Sequence, residues 1–248
     1  MESGFVRKIF IILMLSVFSI VTAHPFKSEK ELYEYYAEID KKIFAEKNKP
    51  IIRKKYPRKL TDKELEQEQI PFSLKRYTVD EIVGNNKLVY NAFNYQLMSI
   101  SQINENNKEE GVIRTFDEDE NLISIAYIEN SKGVMGIYRE YYPWGVLKNE
   151  TPYYTSEING KLKNYYPDGL LKEEYTYYNN KKEGLATMYY ESGQKFAIEN
   201  YKNDLKNGDY YMYYENGTLG MKAFFVNGKR EGTIEFYEED GKKIEKNK

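Results

Sequence analysis

The chain has 248 residues, no cysteine, one histidine and 37 Lys plus Arg against 39 Asp plus Glu, a formal net charge of −2. The lack of cysteine excludes disulfides, thiol nucleophiles and thiolate zinc sites, so stability must come from packing and strand pairing. Aromatic residues reach 16%, with 26 tyrosines, a composition that excludes intrinsic disorder and suits thin β-sheets covered by amphipathic rings.

At the N-terminus, Arg7 and Lys8 precede an apolar run, Ile9 to Val21, broken by Ser16 and Ser19. Val21 and Ala23 supply small residues at the −3 and −1 positions, so residues 1–23 read as a signal peptide cleaved after Ala23. The run is shorter than the roughly 20 residues of a membrane-spanning helix, and no cysteine is present to carry a lipid. The expectation is an exported protein (periplasmic, cell-surface or secreted) that is not a lipoprotein, with an uncleaved N-terminal anchor as the alternative. His24 then becomes the mature N-terminus. Copper binding there needs a second histidine, so a solvated terminal residue is expected.

Residues 24–96 read as a helical or mixed region, a candidate cap for the C-terminal part of the chain. Ser28-Glu29-Lys30-Glu31 is a capping box, and Leu32, Tyr35, Tyr36, Ile39 and Ile43 recur at helical spacing through about Lys47. Pro50 and Pro57 punctuate a basic stretch (Arg53, Lys54, Lys55, Arg58, Lys59) expected to be a solvated linker. Thr61 with Glu64 opens a short second helix that ends before Pro71, and Gly84-Asn85-Asn86 marks a turn.

Residues 97–248 form a repeat array. Gly145, Gly169, Gly193, Gly217 and Gly241 stand 24 residues apart, and Gly136, Gly160, Gly184, Gly208 and Gly232 keep the same step nine residues earlier. Such a period signals a repeat architecture. Tyr141, Tyr165, Tyr189, Tyr213 and Tyr237 precede the first ladder by four residues, while Tyr153, Tyr177, Tyr201 and Phe225 follow it by eight. Asn179-Asn180, Asn203-Asp204 and Asn227-Gly228 suit tight hairpin turns with positive φ. Each repeat is therefore expected to be two antiparallel strands, such as Leu185 to Tyr190 and Lys195 to Lys202. Five repeats are clear, and residues 97–121 form a degenerate sixth. The charged tail from Lys242 suits a blunted edge strand.

These columns resemble the variant class of MORN repeats (membrane occupation and recognition nexus). Tyr213-Tyr214-Glu215-Asn216-Gly217-Thr218-Leu219 followed by Phe225-Val226-Asn227-Gly228-Lys229 carries the likeness best, and Tyr189-Tyr190-Glu191-Ser192-Gly193 and Tyr165-Tyr166-Pro167-Asp168-Gly169 agree. The resemblance implies an elongated, twisted antiparallel sheet of β-hairpins that mediates interactions without a catalytic centre. Bacterial proteins of this kind are commonly labelled antitoxins, a label that fits an exported chain only if the toxin acts outside the cytoplasm. Lipid binding has been proposed for the wider family, but the acidic excess of residues 97–248 weakens a membrane-surface contact and argues against nucleic acid.

No Ser-His-Asp set, phosphate loop or His/Cys cluster is present, and no cofactor or metal is expected. Asp117-Glu118-Asp119-Glu120-Asn121 starts like a calcium loop, but Leu122 and Ile128 occupy required glycine and glutamate positions, so an acidic turn is expected. Adjacent strand residues face opposite sides, so Tyr142, Tyr166, Tyr190 and Tyr214 form a second aromatic column. That column is a candidate exposed binding stripe or else packs against the sheet's own curl. Trp144 is a further candidate, as an exposed contact or as a lid over the array's edge. The leading expectation is a non-catalytic scaffold for an unidentified protein partner. The alternatives are an antitoxin or immunity-type protein and a cell-wall or glycan-binding module of the cell envelope.

Overall fold

The computed structural model describes residues 26–50, 78–91, 97–129 and 132–245. The expected signal peptide, His24, the basic linker and the Thr61 helix lie outside these residues. One helix, α1 (Glu29–Lys47), precedes a single antiparallel sheet. Its strands are β1 (Thr78–Val83), β2 (Asn86–Asn91), β3 (Leu97–Ile103), β4 (Glu109–Phe116), β5 (Leu122–Glu129), β6 (Gly133–Tyr141), β7 (Leu147–Tyr154) and β8 (Glu157–Ile158). They continue as β9 (Gly160–Tyr165), β10 (Leu171–Tyr178), β11 (Lys181–Tyr189), β12 (Lys195–Lys202), β13 (Leu205–Lys206), β14 (Gly208–Tyr213), β15 (Leu219–Val226) and β16 (Lys229–Phe236).

Spatial order follows chain order, with the short β8 and β13 pairing off the main path onto β7 and β12. Such nearest-neighbour order is what a stack of hairpins produces. The sheet already begins at Thr78, so residues 78–91 extend it ahead of the periodic region. Beyond β16 the chain turns at Gly241, and Tyr237 bridges to Lys243.

Two turn chemistries alternate. At one end of the hairpins both turn residues have positive φ: 45° and 66° at Asn179 and Asn180, 48° and 68° at Asn203 and Asp204. These are primed turns, whose twist matches that of the flanking strands. At the other end, Gly169 (φ 92°) donates its N–H to the Tyr166 carbonyl at 2.9 Å while the Tyr166 N–H reaches Leu170 at 2.8 Å. The same pair of bonds recurs at Gly145, Gly193, Gly217 and Gly241.

Helix α1 starts where its capping box places it: the Ser28 Oγ accepts the Glu31 N–H at 3.2 Å. The Glu31 carboxylate closes on the Lys27 N–H at 2.7 Å, one residue outside the usual reciprocal position. Leu32, Tyr36, Ile39 and Ile43 form the buried stripe. Ile39 and Ile43 join Val112, Ile125, Met135 and Tyr141 in the main core, so the helix covers one face of β4, β5 and β6. A smaller cluster, Leu88, Tyr90, Leu97 and Ile100, lies on β2 and β3.

Polar contacts tie the helix along its length. The Tyr36 hydroxyl, pushed well above its usual range by burial, donates to the Asn159 carbonyl at 2.8 Å. Tyr33, raised to about 12 chiefly by burial, accepts the Lys161 N–H at 2.9 Å. Arg139 makes a two-pronged pair with Asp40, 2.8 Å on each prong, and a further bond to Glu150 at 3.0 Å. At the far end the Arg114 guanidinium donates to the Lys49 carbonyl at 2.8 Å.

Gly136 makes the seat possible. A Cβ there would lie 2.5 Å from Ile39 Cγ2, whereas at Gly184, two repeats on, nothing lies within 4 Å among the described residues. Both have positive φ, 78° and 84°, so alanine strains both backbones but clashes only at Gly136. Urea denaturation of Gly136→Ala and Gly184→Ala should therefore differ by about 1–3 kcal/mol, with Gly136→Ala the less stable. Equal losses would mean that α1 does not sit on that glycine.

Candidate interaction surface

The second tyrosine column has a structural use that its residue type alone does not reveal. The Tyr142 hydroxyl donates to the Tyr165 carbonyl at 3.0 Å, Tyr166 to Tyr189 at 2.8 Å, Tyr190 to Tyr213 at 2.8 Å and Tyr214 to Tyr237 at 2.9 Å. Every ring thus reaches from one hairpin into the next, 23 residues on, and all four are half-buried. The Tyr166 and Tyr190 hydroxyls are raised chiefly by burial, which keeps them protonated donors. This corrects the expectation of an exposed stripe. The rings pack along the sheet's end and their polar tips are already engaged.

The opposite end of the hairpins is clasped as well. Asn180 donates its backbone N–H to the Ile158 carbonyl at 3.0 Å and accepts the Ile158 N–H on its side chain at 2.7 Å. Asp204 repeats both bonds with Lys182, at 3.0 and 2.8 Å, and Ser156 repeats them with Val134. The preceding turn residues give their N–H groups to side chains one repeat earlier: Asn179 to Asn159, Asn203 to Glu183 and Asn227 to Asn207. The polar doublets chosen for turn geometry are therefore also inter-repeat acceptors. The period itself carried that signal, because acceptors recur at the column of Asn159, Glu183 and Asn207.

The sheet face opposite α1 carries a connected polar row. Asn149 donates to Asn164 at 2.6 Å and Asn164 to Glu173 at 2.8 Å, while the Tyr175 hydroxyl also reaches Glu173 at 3.2 Å. Further along, Glu199 is only 5% exposed and is held by the Tyr201 hydroxyl and by Lys206 at 2.6 Å. Lys182 stands 3.8 Å from the Tyr175 ring centre and Lys206 4.8 Å from that of Tyr210, cation–π contacts that help accommodate buried charge. Burial and the adjacent carboxylates push the Tyr175 and Tyr201 phenols well above their usual range.

Trp144 lies in the turn between β6 and β7, away from the ends of the strand order. It is 61% exposed, stacks on Tyr142 with ring centres 4.9 Å apart and planes 4° apart, and donates Nε1–H to the Pro167 carbonyl at 3.1 Å. Asn216, at the same place in its repeat, donates to the Glu239 carbonyl at 3.1 Å. The ladder glycines Gly145, Gly169, Gly193, Gly217 and Gly241 all sit in the turns beside these contacts with φ of 81–92°. Asp117 closes an acidic turn, as its sequence suggested: its carboxylate accepts the Asp119 and Asn121 N–H groups at 3.0 and 2.8 Å. Among the described residues, no three His, Asp or Glu side chains gather as a metal-ligand group, and no helix is long and apolar enough to cross a membrane.

This stack of clasped hairpins defines a class of elongated, mainly β repeat proteins. Residues 158–180, 182–203 and 206–227 match the MORN repeat variant family, and these three consecutive units are MORN-variant repeats. No curated protein matches the chain. Among solved structures, one described as the crystal structure of TarM is 11% identical, covering 82% of this chain and 28% of that one at a TM-score of 0.20. A mutant of S. aureus TarM in complex with Fondaparinux, alpha-GlcNAc-glycerol and UDP is 13% identical, covering 82% and 29% at the same TM-score. The chain thus spans less than a third of their length, and at that score the likeness carries no argument.

The two clasps can be measured separately. Tyr190→Phe keeps the ring and removes one donor, and should cost about 1 kcal/mol in chemical denaturation. Asn180→Ala removes an acceptor and puts at φ 66° a residue that tolerates the left-handed region less well than Asn, and should cost about 1–2 kcal/mol, whereas Asn180→Gly should cost less. If Tyr190→Phe leaves stability unchanged, the hydroxyl bond does not hold the repeats together.

Proposed function

We propose that the chain is a non-catalytic, exported repeat protein that binds a protein partner through one face of its array. The observation that supports this most is how the array distributes its side chains. The hydroxyls of Tyr142, Tyr166, Tyr190 and Tyr214, the turn amides and the buried Glu199 are engaged within and between repeats, while large apolar residues remain exposed on the array. Trp144, Leu170, Leu185, Leu205 and Phe224 are all exposed. Scattered exposed hydrophobes are ordinary, but here they ride on a sheet whose shape is fixed repeat by repeat. MORN-variant repeats are consistent with an interaction role.

The acidic excess of residues 97–248 favours a protein over nucleic acid or anionic lipid as partner. Residues 1–23 support export, and the absence of cysteine leaves no thiol to be oxidised outside the cytoplasm. The partner is then a component of the cell envelope or its surroundings. An immunity role is the form this takes if that partner is a toxin acting there. The stacked Tyr142–Trp144 pair favours a second reading, a glycan-contacting platform, because it presents an aromatic face at the surface.

Chemical crosslinking of the chain from His24 onward to the native envelope fraction tests both. The protein-binding reading expects one saturable protein adduct. Binding only to purified cell wall, abolished by Trp144→Ala, would establish the glycan reading instead. No saturable binding in either arm would sink both.

A further inference from the structure

Helix α1 lies on a track that the array repeats. Tyr33 stands over Gly160 and Ile39 over Gly136, with the Tyr33 hydroxyl 3.1 Å from where a Gly160 Cβ would lie. Six helical residues rise about 9 Å. One hairpin repeat advances the sheet by about 10 Å. The helix axis therefore crosses the strands in step with the repeats, one glycine rung at a time.

The rungs continue beyond the helix. The helix starts at Glu29, and Phe26 packs back onto Tyr35 and Tyr154, with ring centres 5.3 and 5.2 Å apart, so the chain leaves the track there. Among the described residues nothing lies within 4 Å of a Cβ on Gly184 or Gly232, and the nearest atoms to one on Gly208 belong to the Asn200 side chain of its own sheet. Strand register places Leu185, Asn200, Ile198, Tyr211 and Phe224 on the same face as Arg139 and Glu150, the residues that meet α1.

Equivalent positions show the difference in cover. Pro152 is fully buried beside the helix, while Phe224, three repeats on, is 45% exposed; Ile137 is half-buried, while Leu185 is 39% exposed. The charge also changes. The column that holds Arg139 continues as Lys163, Thr187, Tyr211 and Glu235, and Asp209 and Glu231 flank the bare rungs, with Lys222 and Lys229 on the same face. The single buried arginine that meets Asp40 is thus replaced by a mixed set, in which a basic residue can face Asp209 and Glu231 while Lys222 and Lys229 lie to the side of Phe224.

We infer that the bare track over Gly184, Gly208 and Gly232 seats one amphipathic α-helix of the partner protein. Its apolar stripe lies between Leu185 and Phe224, and a Lys or Arg faces Asp209 and Glu231. This rests on the protein-binding reading and names the element that the partner supplies. The seat is the continuation of one this chain already fills in cis, which is the reason for committing to a helix.

The test uses the full chain and a fluorescent synthetic peptide of residues 26–50 carrying Asp40→Lys. That change removes the partner of Arg139, so the peptide cannot replace α1, and it supplies a basic residue to face Asp209 and Glu231. Fluorescence anisotropy should give saturable one-to-one binding, weakened about tenfold or more by Leu185→Asp and by Phe224→Asp, and unchanged by Trp144→Ala. Circular dichroism of each variant checks that the exposed substitutions leave the sheet folded. Absence of binding at about 1 mM peptide, or binding that both Asp variants retain, overturns the inference. If those Asp variants still crosslink the envelope protein as the unaltered chain does, protein binding stands and the helix track falls.

Discussion

The bond on which the rest of the array depends joins a tyrosine hydroxyl to a backbone carbonyl one repeat away. A lone hairpin is at best marginal in water, because two strands bury too little apolar surface to offset their ordering. Here each hairpin closes at a Gly-containing turn, and the carbonyl just before that turn accepts a hydrogen bond from outside its own hairpin. Tyr142, Tyr166, Tyr190 and Tyr214 each supply one to the following repeat. The clasp through Ser156, Asn180 and Asp204 does the same at the other end, running back to the preceding repeat. Two anchors at opposite ends fix both spacing and register, so a 24-residue period cannot drift by one residue without losing both.

With register fixed at the ends, the two faces are free to differ. The face opposite α1 buries charge, and does so only where it is paired. Glu199 has both Tyr201 and Lys206, and Lys206 in turn sits over Tyr210. Leaving any of these unpaired would cost more than the pair contributes, which is the usual asymmetry of buried ions. On the other face the first tyrosine column changes surroundings along the array. Tyr141 is buried beneath α1 with Lys47 over its ring, Tyr165 bonds to Glu150, and Tyr189 and Tyr213 are half-buried with no helix above them among the described residues. One sequence column thus passes from core to surface as the cover runs out.

Much of the shape was legible in the sequence, since periodic features are local and repeated. The Gly145 ladder marks turns, whereas the Gly136 ladder falls inside β6, β11 and β16 and at the start of β9 and β14; the Asn-Asn and Asn-Asp doublets adopt positive φ, and β12 spans Lys195–Lys202 as its pattern indicates. The Ser28 cap is equally local. The surface was much less legible. That Tyr190 spends its hydroxyl on Tyr213 depends on which way the ring leans, which an aromatic doublet does not encode. Asp40 and Arg139 lie 99 residues apart in sequence, and nothing near either names the other. The available clue was negative: Arg139 departs from its column, where Thr187 and Tyr211 stand later, and such departures mark where the period yields to something specific.

Those departures make the array directional. At its N-terminal side, Met135, Arg139 and Pro152 differ from their counterparts in later repeats at the places α1 covers. At the other side, Gly228 keeps the backbone half of the turn clasp but has no side chain for the second half. Glu238 then stands where a fifth staple tyrosine would be, and a carboxylate cannot donate to a carbonyl. The means of adding repeats is thus dismantled stepwise, first the clasp and then the staple, while the exposed Leu185 and Phe224 persist up to that point. Leu185 and Phe224 stand alone as large apolar residues late in their columns, and nothing among the described residues covers them fully. The last repeats therefore hold the array's geometry while presenting a side of it that the described chain leaves unfilled.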